Sequence, residues 1–202
     1  MSTTMARTEP RIPTLEPPFE PAVASQLAAM MPAGVPPIGL FRTFARNLAM
    51  AAAMHGWGRH ELGRSLTVPM RAREIVIDRT CARCGCEYEW GVHVAFFATR
   101  VGLDRAQVAS LAHGGPADAC WVDPVDALLV ELVDQLHDTS DVDDELWDRL
   151  AACFDEAQLL DLLALCGWYH AISFLARGAR VAPEPDAPRF ADFLPAAQPS
   201  PG

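Results

Sequence analysis

The chain has 202 residues, half of them hydrophobic and 21% charged, a balance that suits one globular domain and excludes wholesale disorder and fibrous classes. Its formal net charge is −10, and no Lys/Arg run could neutralise a row of phosphates, so nucleic acid is excluded as an expected partner. Residues 1–10 lack the basic-then-apolar order of a secretory leader, and no unbroken apolar run reaches the ~18 residues of a membrane span, so the expectation is a cytoplasmic protein without a membrane partner.

In chain order, Pro10, Pro13, Pro17 and Pro18 make residues 1–19 an extended arm. A single helical domain follows over 20–182. Apolar spacing predicts a short helix over 20–31, a second over 38–55 closed by Gly56 and Gly58, and a third short one over 58–65. Thr67 before Pro69 marks the start of a helix over 69–82, with the proline at its first position, and Gly85 breaks it.

Helical spacing resumes over 86–101 and stops at Gly102; Asp104 caps a further helix through Ala112, and residues 113–116 form a turn. Asp123 and Pro124 start a helix through His137, Ser140 or Asp141 caps one through Phe154, and Asp155 caps a long one through Arg177 that Gly178 and Pro183 end. Residues 183–202 are proline-rich, a tail with Phe190, Phe193 and Leu194 as local anchors. No segment requires a strand, so the fold class is all-α.

The chemistry is concentrated in residues 70–100, which hold Cys81, Cys84 and Cys86. With Gly85 as the break, Cys86, Glu89 and His93 fall on one helix face, because offsets of three, four and seven bring side chains together. A cysteine in an opening turn sees the positive end of the helix dipole, which favours thiolate. A carboxylate beside an imidazole makes a proton-transfer pair, and a hairpin through residues 83–85 would place Glu74 opposite Glu89 or His93. The plainer readings are Glu74 paired with Arg71, or Asp78 with Arg73, on a solvated face, His93 as an interface histidine, and Tyr88 and Trp90 as packing.

Cys81 and Cys84 form a Cys-x-x-Cys that leaves a redox role open. A zinc site from Cys81, Cys84, Cys86 and His93 is disfavoured, because structural zinc sites pair two short motifs across a longer loop. Cys120, Cys153 and Cys166 are isolated; Tyr169 and His170 could close over the pocket from the last helix, while His55, His60, His113 and His137 carry no assigned role.

Glu74 twelve residues before Cys86, and Cys86-Glu87-Tyr88-Glu89-Trp90-Gly91-Val92-His93, resemble the motif of the carboxymuconolactone decarboxylase and AhpD-like family, in which Cys-x-x-Cys-x-x-x-His follows a glutamate. Glu89 stands where the second cysteine would be, so the pattern looks closer to the decarboxylase-like branch. The resemblance covers residues 36–113 and, more weakly, the helix bearing Tyr169. It implies an all-α, AhpD-like helical bundle, a homo-oligomer (trimer or hexamer), no cofactor and no metal.

The function it implies is acid/base chemistry on a small organic acid, lactone or carbonyl compound. His93 would be the acid/base, Glu89 its partner or a second base, Glu74 the residue that tunes it or relays protons, and Cys86 a pocket wall. The alternatives are a thiol-dependent peroxidase using Cys86 or Cys81/Cys84, and a non-catalytic binding or scaffold oligomer.

Overall fold

A computed structural model describes residues 9–194, so the outer parts of both expected arms, 1–8 and 195–202, lie outside the described residues. Nine α-helices and no strand occur among the described residues: α1 Pro21–Met30, α2 Gly39–Phe44, α3 Leu48–Glu61, α4 Met70–Arg83, α5 Glu87–His93, α6 Arg105–His113, α7 Pro124–Thr139, α8 Asp144–Ala151 and α9 Glu156–Ala179.

The bundle is wound around α4, which packs against α5, α6, α7 and α9. Ten consecutive α4 residues, Ala72 to Cys81, are buried, although the segment carries Arg73, Glu74, Asp78 and Arg79. A helix enclosed on all sides can keep such charges only by pairing or neutralising them. Arg79 pairs with Asp134 on α7 at 2.7 Å, and Arg71, at the rim, pairs with Asp126 at 2.8 Å. The solvated face considered from the sequence is therefore absent here: Glu74 pairs with Arg73 and not Arg71, and Asp78 is buried without a hydrogen-bond partner.

The α4–α5 hairpin has a local cause. Gly85 adopts φ +63°, the left-handed conformation that a side chain would strain, and the Cys86 and Gly85 N–H groups donate back to the Cys81 and Ala82 carbonyls at 2.7 and 2.8 Å. Cys86 thereby becomes the residue before α5, not part of its first turn, and its side chain makes no capping bond. Glu87 and Glu89 supply the acidic first turn that the helix dipole favours.

Several boundaries differ from expectation. The helix expected over 38–55 is two helices, because Asn47 caps a new start by accepting from the Met50 N–H. Gly56 and Gly58 sit inside α3, where Gly58 lets Trp168 approach to within 3.4 Å of the space a Cβ would fill, so no separate helix over 58–65 forms. Pro69 caps α4 from outside. The helix expected over 86–101 changes after His93 into a π-helical turn, Val94–Ala98. Asp143 caps α8 in place of Ser140 or Asp141, and Gly178 lies within α9, which Arg180 ends. Asp104 and Asp155 each form a full capping box at the expected place.

Helix α9 is long and apolar enough to cross a membrane by length and composition. Half of its most apolar stretch is buried in the bundle, against α4, α5 and α8.

Both flanking segments dock. Residues 11 and 12 donate to the Ala179 carbonyl, and Arg42 bonds back to Leu15 and Glu16. Toward the C-terminus, Glu184 accepts from Tyr88 Oη and the Gly39 N–H, both at 2.6 Å. Phe190 and Phe193 stack on Trp90 with ring centroids 4.8 and 5.4 Å away, and Phe190 N–H donates to Glu87. The tail covers α5, about a hundred residues away in sequence.

Candidate active site

The hairpin sets Glu74 beside His93, with Glu74 Oε2 2.7 Å from His93 Nδ1. Arg73 holds the other carboxylate oxygen, with Nε at 2.7 Å. On the far side of the imidazole, Nε2 lies 3.0 Å from Tyr169 Oη on α9 and 3.5 Å from Glu89 Oε1 one turn earlier on α5. Phe97, carried by the π-helical turn, places its ring 5.4 Å from the imidazole and takes the Arg73 guanidinium over its face at 5.2 Å. The turn thus closes the site from a position that a regular helix would rotate.

Charge decides the protonation of this cluster. Burial by itself lowers the affinity of His93 for a proton, but the Glu74 carboxylate, with Glu89 behind it, outweighs burial and raises the pKa to about 10. His93 is therefore an imidazolium at neutral pH. Its Nδ1–H donates to Glu74 and its Nε2–H to Tyr169 Oη, with Glu89 within electrostatic reach. Two cations, Arg73 and His93, then face two carboxylates, Glu74 and Glu89, and the cluster closes at zero net charge. Asp78, one turn beyond Glu74, is pushed well above the usual carboxylate range by burial and by Glu74. Tyr169 is likewise held as the phenol by burial.

A cavity of about 440 Å³ opens onto this cluster. Its walls are Met30, Leu40, Phe41, Phe44, Trp168 and Ile172, its floor meets Glu89 and Tyr169, and Arg59 and Arg64 contribute positive charge. Glu89 Oε2 has no hydrogen-bond partner, although it is buried, a costly state for a carboxylate oxygen unless a ligand or water meets it. Neither arginine forms an ion pair among the described residues.

Glu74, Glu89 and His93 thus converge, with His93 and Glu74 one layer behind the cavity wall. Tyr169 joins them. Tyr88 and Trp90 do not line this cavity: Tyr88 Oη serves Leu40 and Glu184, and Trp90 lies under the C-terminal segment. His170 turns away to His137, 2.9 Å distant.

Cys86 is fully buried and does not line the cavity either. Burial raises its thiol to about 11, so the thiolate expected from a helix start does not form: the desolvation of a buried sulfur outweighs the dipole. Cys81 and Cys84 are buried and pushed up as well. Arg73, Phe97, Arg59 and Arg64 went unassigned in the sequence. Only the adjacency of Arg73 to Glu74 hinted at a role, since the others arrive through the π-helical turn and the end of α3.

No family model matches the chain, and no curated protein is similar to it in sequence. Solved structures do resemble it. An uncharacterized peroxidase-related protein from Silicibacter sp. TM1040 superposes with a TM-score of 0.70 at 15% identity, over 94% of this chain and 100% of that one. The debrominase Bmp8 gives 0.67 at 14% identity, over 86% and 92%. A cysteine-to-alanine variant of that debrominase in complex with 2,3,4-tribromopyrrole gives 0.67 at 15%, over 86% and 91%. At such identities the likeness establishes the fold, and the all-α, AhpD-like bundle implied by the motif resemblance is the fold this chain has.

Proposed function

We propose that the protein is an enzyme that performs acid/base chemistry on a small, largely apolar organic acid, lactone or related carbonyl compound bound in the 440 Å³ cavity. The observation that carries this reading is the meeting of an unpartnered Glu89 oxygen and the Tyr169 hydroxyl at the cavity floor, with the His93 imidazolium directly behind them. Glu89 is the group placed to take a proton from substrate. Tyr169, polarised by the His93 Nε2–H, is placed to donate one to a developing oxyanion. Glu74 and Arg73 hold the imidazole in register and keep it charged. Arg59 and Arg64, without an ion pair among the described residues, suit a substrate carboxylate. The ring bound by the variant debrominase belongs to the size class this cavity takes.

The test is turnover of small carboxylated lactones and β-keto acids, followed by ring opening and carbon dioxide release. Wild type should turn over at least one class, and Glu89→Gln should lose about 100-fold or more in kcat. Equal rates in the two proteins would overturn the reading.

A thiol-dependent peroxidase using Cys86 or Cys81/Cys84 is the second reading, favoured by the peroxidase-related fold neighbour. Loss of two thiols per chain on stoichiometric peroxide, recoverable with reductant, would support it over the first.

A further inference from the structure

We propose that Cys84, His137 and His170 form a binding site for one divalent transition-metal ion of the zinc type, separate from the His93 cluster. Their three donor atoms lie within 4.8 Å of one another. Each comes from a different helix of the bundle: Cys84 caps the end of α4, His137 lies in the last turn of α7, and His170 sits midway along α9. Tyr169 faces the candidate active site, and His170, one position on and ~100° round the helix, faces the α4–α7 side.

The hydrogen bonding of His170 assigns its donor atom. Its Nδ1 lies 2.9 Å from the Cys166 carbonyl oxygen, which can only accept, so Nδ1 carries the proton and Nε2 presents a lone pair. That lone pair accepts from His137 Nδ1–H, 2.9 Å away, and Cys84 Sγ lies 4.0 Å from the same nitrogen. An ion replaces that proton, which His137 then carries on Nε2, and the thiol proton is released. A backbone carbonyl that fixes the tautomer of a ligating histidine is the usual support behind a metal site.

Tetrahedral zinc with Zn–N near 2.05 Å and Zn–S near 2.3 Å needs donor separations of about 3.3 Å between nitrogens and about 3.6 Å from sulfur to nitrogen. The nitrogens must open by about 0.4 Å, and the sulfur must close by about 0.4 Å toward His137 and by up to about 1.2 Å toward His170, a rearrangement that side-chain rotation supplies. One thiolate and two imidazoles suit zinc and disfavour magnesium or calcium. Burial holds the Cys84 thiol above its ordinary value, and the positive charge of Arg177, which donates to the Cys84 carbonyl, offsets part of that. Both histidines are partly exposed, which provides an entry path and leaves the fourth position to water. Cys166 Sγ accepts from Thr80 Oγ1 at 3.6 Å and lies 3.8 Å from His170 Nδ1, the ring nitrogen turned away from the three donors.

Full-length protein stripped with a chelator is titrated with Zn²⁺ by calorimetry and with Co²⁺ by absorption. The expected result is one ion per chain, a thiolate-to-cobalt charge-transfer band and d–d bands of tetrahedral intensity. His137→Ala and His170→Ala should each weaken binding by more than about tenfold, and Cys84→Ser should abolish the charge-transfer band. Cys153→Ser, at an exposed cysteine, should change nothing.

Because the ion would clip three helices together, Zn²⁺ should also raise the melting temperature of wild type and not that of His137→Ala, an exchange at a half-exposed position. Absence of saturable binding, or binding that His137→Ala leaves intact, would overturn the proposal. Turnover does not enter this test, so its failure is distinct from failure of the proposed activity.

Discussion

Glu74→Gln tests the electrostatic reading of the cluster most directly, because it keeps the shape of the side chain and removes its charge. Glu74 is fully buried and accepts from Arg73 through Oε1 and from His93 through Oε2, both at 2.7 Å. Without its carboxylate, two buried cations would face Glu89 alone. Removing one partner of a buried ion pair costs about 3–5 kcal/mol, and His93 should respond by losing its proton.

The pH dependence has a definite sign. The folded-state value of His93, about 10, lies above its ordinary 6.5, so its contribution to stability is complete below 6.5 and is lost as pH rises through 10. At ~1.4 kcal/mol per tenfold change, that contribution is up to about 5 kcal/mol in wild type. The variant lacks it. Urea unfolding followed by circular dichroism should therefore show a deficit of about 3–5 kcal/mol near neutral pH that narrows toward about pH 9. A deficit below about 1 kcal/mol, or one independent of pH, would refute the assignment of a buried imidazolium.

Three further outcomes follow from the geometry. Tyr169→Phe should cost about 1–2 kcal/mol in urea unfolding, since it deletes the acceptor 3.0 Å from His93 Nε2 while leaving the ring packed; a neutral effect would mean that the hydroxyl does not bind the imidazolium. A thiol reagent should modify Cys153 fast and Cys120 more slowly, with Cys81, Cys84, Cys86 and Cys166 reacting only on unfolding, as time-resolved thiol counting would show. Gly91→Ala would set a Cβ 2.5 Å from the Pro188 carbonyl oxygen, so the C-terminal segment must lift off α5. Faster proteolysis after residue 183 at a cost of about 1–3 kcal/mol should reveal it, and unchanged cleavage would show that the segment is not held there.

Local rules carried much of the reading. Asp104, Asp123 and Asp155 cap where a short acceptor precedes an apolar repeat, and Gly85 ends α4 because only glycine adopts that turn without strain. The carboxylate-imidazole pairing of Glu74, Glu89 and His93 was legible from helical offsets once Gly85 was read as the break, since these residues need only one hairpin to meet. The split at Asn47 and the π-helical turn after His93 were not legible. The first rests on a single side-chain cap and the second on a change of hydrogen-bond register, and neither leaves a mark on hydrophobic periodicity.

What the sequence by itself determined is the all-helical class, most of the helices from α4 onward, and the one face that carries Glu89 and His93. These follow from interactions within a few residues or across a single turn. Tertiary structure alone decided that α4 is enclosed, so that its charges must pair and the Asp78 carboxyl is pushed well above its usual range. It also decided that Cys86 is a buried thiol, and that Tyr169 and His170, adjacent in sequence, serve different sides of α9. Burial and charge balance are sums over every element packed around a group, and those sums exist only once the bundle has closed.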